Sequence, residues 1–214
     1  MPVQVTGEVV TVKRIGAYTA ITVTAPGIPE LTRPGHFVGV QVGGPESSML
    51  LRRAFALYDV QPSGVYGGTV QFVFAVHGKG TAWLAERRPQ DRLDLVGPLG
   101  KPFRLPAHPV NATLVGGGYG SAPLLPLARV LRERGCRVSF VLGAGSVDRL
   151  FGHLDAKRIA DTIAVTTDDG SLGQQGRVSD VLPSVMARTD CDVVYACGPM
   201  AMLRAVADQA ATRG

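Results

Sequence analysis

The chain has 214 residues, 45% of them hydrophobic and 18% charged, with a net charge of +5; that suits one large domain or two small ones and excludes a disordered chain. The basic excess is scattered and forms no cluster interleaved with aromatic residues, which argues against a nucleic-acid partner. No apolar run reaches the ~20 residues of a membrane span, and the opening MPVQVTGEVV lacks a signal-peptide pattern, so a soluble cytoplasmic protein with no membrane partner is expected.

Residues 1 to about 105 read as strands. GEVVTVKRIG, AYTAITVTAP, HFVGVQVGG and TVQFVFAVHG carry β-branched and aromatic residues between Gly and Pro. DRLDLVGPLG adds a further short strand, and a short helix is predicted over Thr81–Arg87 around Trp83. About six short strands with so little helix predict a barrel. The rhythm changes at LPAHPV, residues 105 to 110. NATLVGGG, RVSFVLGAG, DTIAVTTDDG and DVVYACGPM read as four buried strands. Helices follow in APLLPLARVLRERG, with Pro123 and Pro126 near its start and Gly135 as its stop, in RVSDVLPSVMARTD and in MAMLRAVADQAA. Strand–helix alternation of this kind predicts a doubly wound parallel sheet.

Two places in the barrel half suit an anion. MLLRRAFALYDV, residues 49 to 60, sets Arg52 and Arg53 in a mostly apolar run, and an unpaired buried charge is costly. HGKGTAWL places Gly78 and Gly80 before Thr81 at a helix start, where free amides and a hydroxyl suit a phosphate. A simple turn capped by Thr81 fits the same residues. Read together, Arg53 is expected to turn toward a diphosphate at Gly80–Thr81. Arg52 is expected to point to solvent, since neighbouring strand residues face opposite sides.

In the second half, ligands are expected beyond the carboxyl ends of the strands, where strand order reverses. The first strand ends in Gly116-Gly117-Gly118-Tyr119-Gly120, the fourth in Cys197-Gly198-Pro199-Met200. A sheet ordered 3-2-1-4 makes these two ends neighbours across one crevice. Tight packing is the alternative explanation of such a glycine turn, and Gly-x-Gly-x-x-Gly spacing is not met because position 121 is Ser. Cys197, with no histidine beside it in sequence, suits packing or nicotinamide contact better than nucleophilic attack. Cys136, Cys191 and Cys197 are an odd, widely spaced set without C-x-x-C, so neither a disulfide framework nor a metal site is expected. The second strand ends in LGAGSVD, with Asp148 and only Arg149 as a nearby cation, which predicts NAD rather than NADP.

Taken in order, RRAFAL, GKGT, DLVGPLG, LVGGGYGSAPLLPLA, TDDGSLGQQGRVSDVL and CGPMAML resemble the electron-transfer subunit of type B dihydroorotate dehydrogenase, a branch of the ferredoxin–NADP reductase superfamily. The resemblance runs over essentially the whole chain. TDDGS-x-G-x-x-G together with CGPMAML is specific to this branch, whereas the flavin motifs are shared across the superfamily. The resemblance implies an N-terminal antiparallel β-barrel of ferredoxin-reductase type binding FAD, residues 1–107, followed by a doubly wound parallel α/β domain binding NAD(H), residues 108–214. It implies a FAD-dependent oxidoreductase that passes electrons from an FMN-containing catalytic subunit, through a [2Fe–2S] cluster and FAD, to NAD+ in pyrimidine biosynthesis. Carried over by position, Arg53, Ala54, Phe55 and Ala56 would line FAD with Val73, Phe74 and Ala75, and Gly80 and Thr81 would meet its diphosphate. Gly116 to Gly120 (Gly116, Gly117, Gly118, Tyr119, Gly120) and Cys197, Gly198, Pro199 and Met200 would receive NAD.

This sequence departs from the family at three points. An Arg-Pro-x-Ser stretch reads Arg53-Ala54-Phe55-Ala56, so the hydroxyl at position 56 is lost. Ala75 stands where the family often has arginine. The family's cysteine-rich segment, which ligates the cluster, has no counterpart before the sequence stops at ATRG; a truncated or a cluster-free form is expected, with hydride exchange toward NADH kept and dihydroorotate-dependent NAD+ reduction lost. A stand-alone NADH-dependent flavin reductase and a degenerate nucleotide-binding module without catalysis are the competing readings. A flavin spectrum of the purified protein separates the last of these from the others.

Overall fold

The computed structural model describes residues 1–44, 47–65 and 67–212. The chain divides into two compact units, Met1–Phe103 and Arg104–Gly214.

In the first unit β1 (Val3–Ile15), β2 (Tyr18–Thr24), β3 (Phe37–Val40), β4 (Arg53–Gln61), β5 (Thr69–Phe74) and β6 (Arg92–Leu99) close into a barrel in the order β1-β2-β5-β4-β3-β6. β1 makes the closure possible because it pairs along its first half with β6 and along its second half with β2. Closure leaves no unpaired strand edge. Alternation along β4 and β5 sends Phe55, Leu57, Phe72 and Phe74 inward, where Phe55 stacks on Phe72 with ring centroids 4.9 Å apart and an interplanar angle of 17°. Each such buried aromatic stabilises the barrel by roughly 1.5–3 kcal/mol. The one α-helix among its described residues, α1 (Lys79–Ala85), starts and ends two residues earlier than the predicted Thr81–Arg87. The reason is local: the Thr81 hydroxyl accepts from the amides of His77 and Gly78, at 2.9 and 3.2 Å, and so folds the turn that starts the helix.

The second unit is a parallel sheet, β10-β9-β8-β7-β11, made of β7 (Asn111–Gly117), β8 (Arg137–Ala144), β9 (Thr162–Thr167), the two-residue β10 (Gln174–Gln175) and β11 (Val193–Cys197). The four long strands have the expected 3-2-1-4 order. α2 (Leu124–Glu133), α4 (Val178–Arg188) and α5 (Met200–Ala211) match predicted helices, and α4 and α5 cover Val115, Val141, Val194 and Ala196 of the sheet. α3 (His153–Ile159) was not predicted: it is seven residues long and opens on Gly152 rather than on a capping side chain. No helix among the described residues is long and apolar enough to cross a membrane.

α4 contains Pro183 in its interior. Proline has no N–H, so the carbonyl four residues earlier, that of Ser179, loses its helical donor. Gln209 of α5 fills the gap, its Nε2 donating to Ser179 O at 2.8 Å. This bond joins the two helices that cover one face of the sheet. Gln209→Leu should therefore destabilise the protein by about 1 kcal/mol, since the carbonyl left without its donor is part-buried. In a Pro183→Ala background, where the helix supplies its own donor, the same change should cost much less. Urea unfolding of the double-mutant cycle measures this; equal costs in the two backgrounds would refute the account.

Candidate functional site

In the barrel, Arg53 opens β4 and lies beside the start of α1. A side chain on Gly80 would sit 3.3 Å from Arg53 Nε and 3.1 Å from Val42 Cγ2. The bare glycine thus leaves a guanidinium and a helix start facing one small space. Arg53 also donates from Nη1 to Leu51 O at 2.8 Å, which steadies its side chain. The first amides of any helix, here those of Lys79, Gly80 and Thr81, have no partner inside it. The Thr81 hydroxyl is itself engaged: besides accepting from His77 and Gly78 it donates to Gly78 O at 3.1 Å. It holds the turn, so the amides and Arg53 are what this place offers an anion.

Arg52 does not point to solvent as expected. Its Nη1 lies 2.7 Å from Asp94 Oδ1 and donates to Asp94 O at 3.0 Å, clamping the entry to β4 onto β6. The alternation argument fails because Arg52 precedes the strand, which begins at Arg53. With side chains 30% and 25% exposed, such a pair contributes about 0–1 kcal/mol.

The other expected barrel residues divide by face. Phe55, Val73 and Phe74 are buried, so in this structure a ligand on the outer wall reaches them through backbone alone. Ala54 is exposed and Ala56 half-buried on that outer wall, where β3 places Gly39 and Phe37 beside them. Ala75, just past β5, is half-buried.

In the second unit the sheet brings the two glycine-bearing strand ends together, with Cys197 paired to Gly116. A Cβ on Gly120 would lie 2.8 Å from both Cys197 O and Gly198 Cα, and one on Gly117 would lie 2.8 Å from Pro199 Cδ. Tight packing and an open ligand face are therefore not alternatives here: the glycines are what let the two backbones meet. Gly118 to Ser121 form a single turn before α2, and Ser121, buried, has its hydroxyl 2.8 Å from the carbonyls of Gly118 and Phe151. Tyr119 (38% exposed) and Met200 (78% exposed) stand at the rim. Met200 opens the twelve-residue α5, so unpartnered helix amides face outward beside the glycine turn. Burial pushes the Cys197 thiol up from its ordinary pKa; a neutral thiol at neutral pH is a poor nucleophile.

Asp168, a carboxylate whose role the sequence leaves open, lies beside the end of β8. A Cβ on Gly145 would be 3.8 Å from Asp168 Oδ2 and 4.0 Å from Arg149 Cδ. Asp168 follows β9, whose Thr167 pairs with Ala144, the last residue of β8; that register was the signal that could have found it. Asp148, the carboxylate within LGAGSVD, is exposed in a short turn. The two loops are laced together: Val147 N donates to Ser171 Oγ at 2.8 Å, and Ser171 donates from Oγ and N to Asp169 Oδ1 at 2.6 and 2.9 Å. Those two bonds hold the Asp169 carboxyl below its usual pKa. Among the described residues, no group of His, Cys, Asp or Glu side chains is gathered so as to hold a metal ion.

No family model matches the chain. It is 40% identical over 191 residues to the dihydroorotate dehydrogenase B (NAD(+)) electron transfer subunit of Geobacillus kaustophilus, covering 88% of this chain and 72% of that protein. The chain belongs to that family. The Enterococcus faecalis electron transfer subunit is 35% identical over 182 residues, 84% of this chain and 67% of that protein. Among solved structures, an NADH-dependent reduced ferredoxin–NADP oxidoreductase aligns with a TM-score of 0.83 and 31% identity, over 97% of this chain and 72% of its own. A Neisseria gonorrhoeae ferredoxin NADP+ reductase with bound FAD and NADP shares the fold, at a TM-score of 0.79 and 16% identity.

Proposed function

We propose that this protein is the FAD-dependent, NAD-linked electron-transfer subunit of a dihydroorotate dehydrogenase, acting with an FMN-containing catalytic subunit in pyrimidine biosynthesis. The observation that carries the reading is the 40% identity to such a subunit across both units. Arg53 and the space left by Gly80 fit a diphosphate, which tests the cofactor against this chain's own residues. FAD, when bound, exchanges a hydride with a nicotinamide and single electrons with other centres, so the protein's task is placement and electrostatics rather than acid–base chemistry.

Arg53 would supply positive charge to a bound diphosphate with the amides of Lys79, Gly80 and Thr81, and the backbone from Ala54 to Ala56 and from Val73 to Ala75 would line the flavin. Gly116 to Gly120 and Cys197 to Met200 receive NAD, with the amides at the start of α5 toward its phosphates. Cys197, with its thiol kept neutral by burial, would contact a bound nicotinamide without attacking it. Asp168 accepts from the ribose 2′-hydroxyl at the end of β8, where a 2′-phosphate would meet like charge. The [2Fe–2S] cluster expected from the resemblance does not fit Cys136, Cys191 and Cys197, three thiols that lie before β8, before β11 and at the end of β11.

Arg53→Ala should weaken FAD binding by about tenfold or more, since a charged hydrogen bond is worth roughly 1.5–3 kcal/mol. Arg52→Ala, which loses only a contact to Asp94, should do far less. Equilibrium dialysis of the two variants measures this, and equal losses would reverse the assignment. With ferricyanide as electron acceptor, NADH should far exceed NADPH in kcat/KM. Asp168→Asn should raise the NADPH:NADH ratio by about tenfold or more, because removing a like-charge clash is worth upward of ~1.4 kcal/mol. A ratio unmoved by the substitution would place nucleotide selection elsewhere, and no NADH oxidation at all would reject the function.

A further inference from the structure

The loop after β8 and the loop after β9 are tied together past the ends of their strands. Asp168 N donates to Ala144 O at 3.0 Å and Asp169 N to Gly145 O at 3.3 Å, so backbone pairing continues to Gly145. There the β8 side leaves the ladder as the short turn Val147–Arg149. The β9 side closes on itself: the Thr167 hydroxyl donates to Leu172 O at 2.9 Å and accepts from Leu172 N at 3.1 Å. The Ser171 side chain bridges the two. It gives its single hydroxyl proton to Asp169 Oδ1 at 2.6 Å, which leaves its lone pairs for the Val147 amide at 2.8 Å. The Asp169 carboxylate thus sets the direction of the bridge, and a charged acceptor makes its half the stronger one.

The bridge bears on the space over Gly145, which each loop bounds with one group. From the place a Cβ would take, Asp168 Oδ2 of one loop lies at 3.8 Å and Arg149 Cδ of the other at 4.0 Å. Arg149 belongs to the turn that begins at Val147. The Val147–Ser171 bond therefore fixes the separation of Asp168 from the turn opposite. Val147 and Ser171 are exposed, so water replaces either partner when the bond is lost, and the fold loses little. What changes is the width of the gap. A gap held at one width admits a ribose with a free 2′-hydroxyl and keeps the Asp168 carboxylate close enough to repel a 2′-phosphate. We propose that Ser171 is a positioning residue for nucleotide selection, acting through Asp168. The inference rests on the reading of Asp168 above and goes further by naming what holds that carboxylate in place.

Calorimetry of the full chain with NAD+ and NADP+, neither of which reduces oxidised FAD, reads binding apart from turnover. Ser171→Ala should weaken NAD+ binding by about threefold to tenfold, the size of one hydrogen bond, and should not weaken NADP+ binding. Ser171→Thr, which keeps the hydroxyl, should bind as wild type. Val147→Pro removes the donor from the other side and should match Ser171→Ala; Ser146 before it is already extended, as a residue preceding proline prefers. In an Asp168→Asn background, Ser171→Ala should no longer move the ratio of NAD+ to NADP+ affinity. Equal weakening of both nucleotides, a Ser171→Ala protein that binds as wild type, or additive effects of Ser171→Ala and Asp168→Asn on the ratio would each overturn the inference while leaving the reading of Asp168 intact. If Asp168→Asn alone leaves the ratio unmoved, the reading of Asp168 fails and the inference with it.

Discussion

The second unit depends on a backbone approach that no side chain could survive. β7 and β11 lie side by side, so the turn after β7 and the turn after β11 occupy the same few ångströms, with Gly120 against Cys197 and Gly198. The 3-2-1-4 order forces this meeting, because the first and fourth strands are neighbours on which helices wind in opposite directions. Once the turns meet without side chains, the start of α5 and the rim residues Tyr119 and Met200 frame a face of backbone groups. A dinucleotide needs such a face more than it needs any one functional group. The dense packing of this turn and its proposed binding role are one fact seen from two sides.

In the barrel the deciding constraint is which polar groups are already engaged. Arg52 and Arg53 are adjacent and chemically identical, yet Arg52 is tied to Asp94 while Arg53 stands at the Gly80 space. Thr81, which looks like a phosphate ligand in sequence, closes its own turn. The side chains of Thr6, Gln41 and Arg92 line a cavity and have no hydrogen bond or ion pair among the described residues. A ligand is recognised by groups the fold leaves uncommitted, and these are not the ones that stand out most in a motif.

Much of the fold was legible because its signals are local. Alternation in TVQFVF, proline near the start of α2 and glycine at its end punctuate elements within a few residues. The meeting of Gly116–Gly120 with Cys197–Met200 was legible too, since strand–helix alternation restricts the sheet to few topologies. What stayed hidden depends on register or on distant partners. The Arg52–Asp94 contact spans 42 positions, and Asp168 reaches Gly145 only through the pairing of β8 with β9. α3 is short and lacks a capping side chain. The donor from Gln209 to the carbonyl that Pro183 orphans comes from another helix altogether.

The central claim is that one chain holds FAD and accepts hydride for it from NADH. The most direct measurement is the visible spectrum of the FAD-reconstituted protein during anaerobic titration with NADH. The account predicts a protein-bound flavin band that stoichiometric NADH bleaches and that NADPH at the same concentration leaves largely intact. A chain that stays colourless after reconstitution, or a bound flavin that NADH does not bleach, would contradict it.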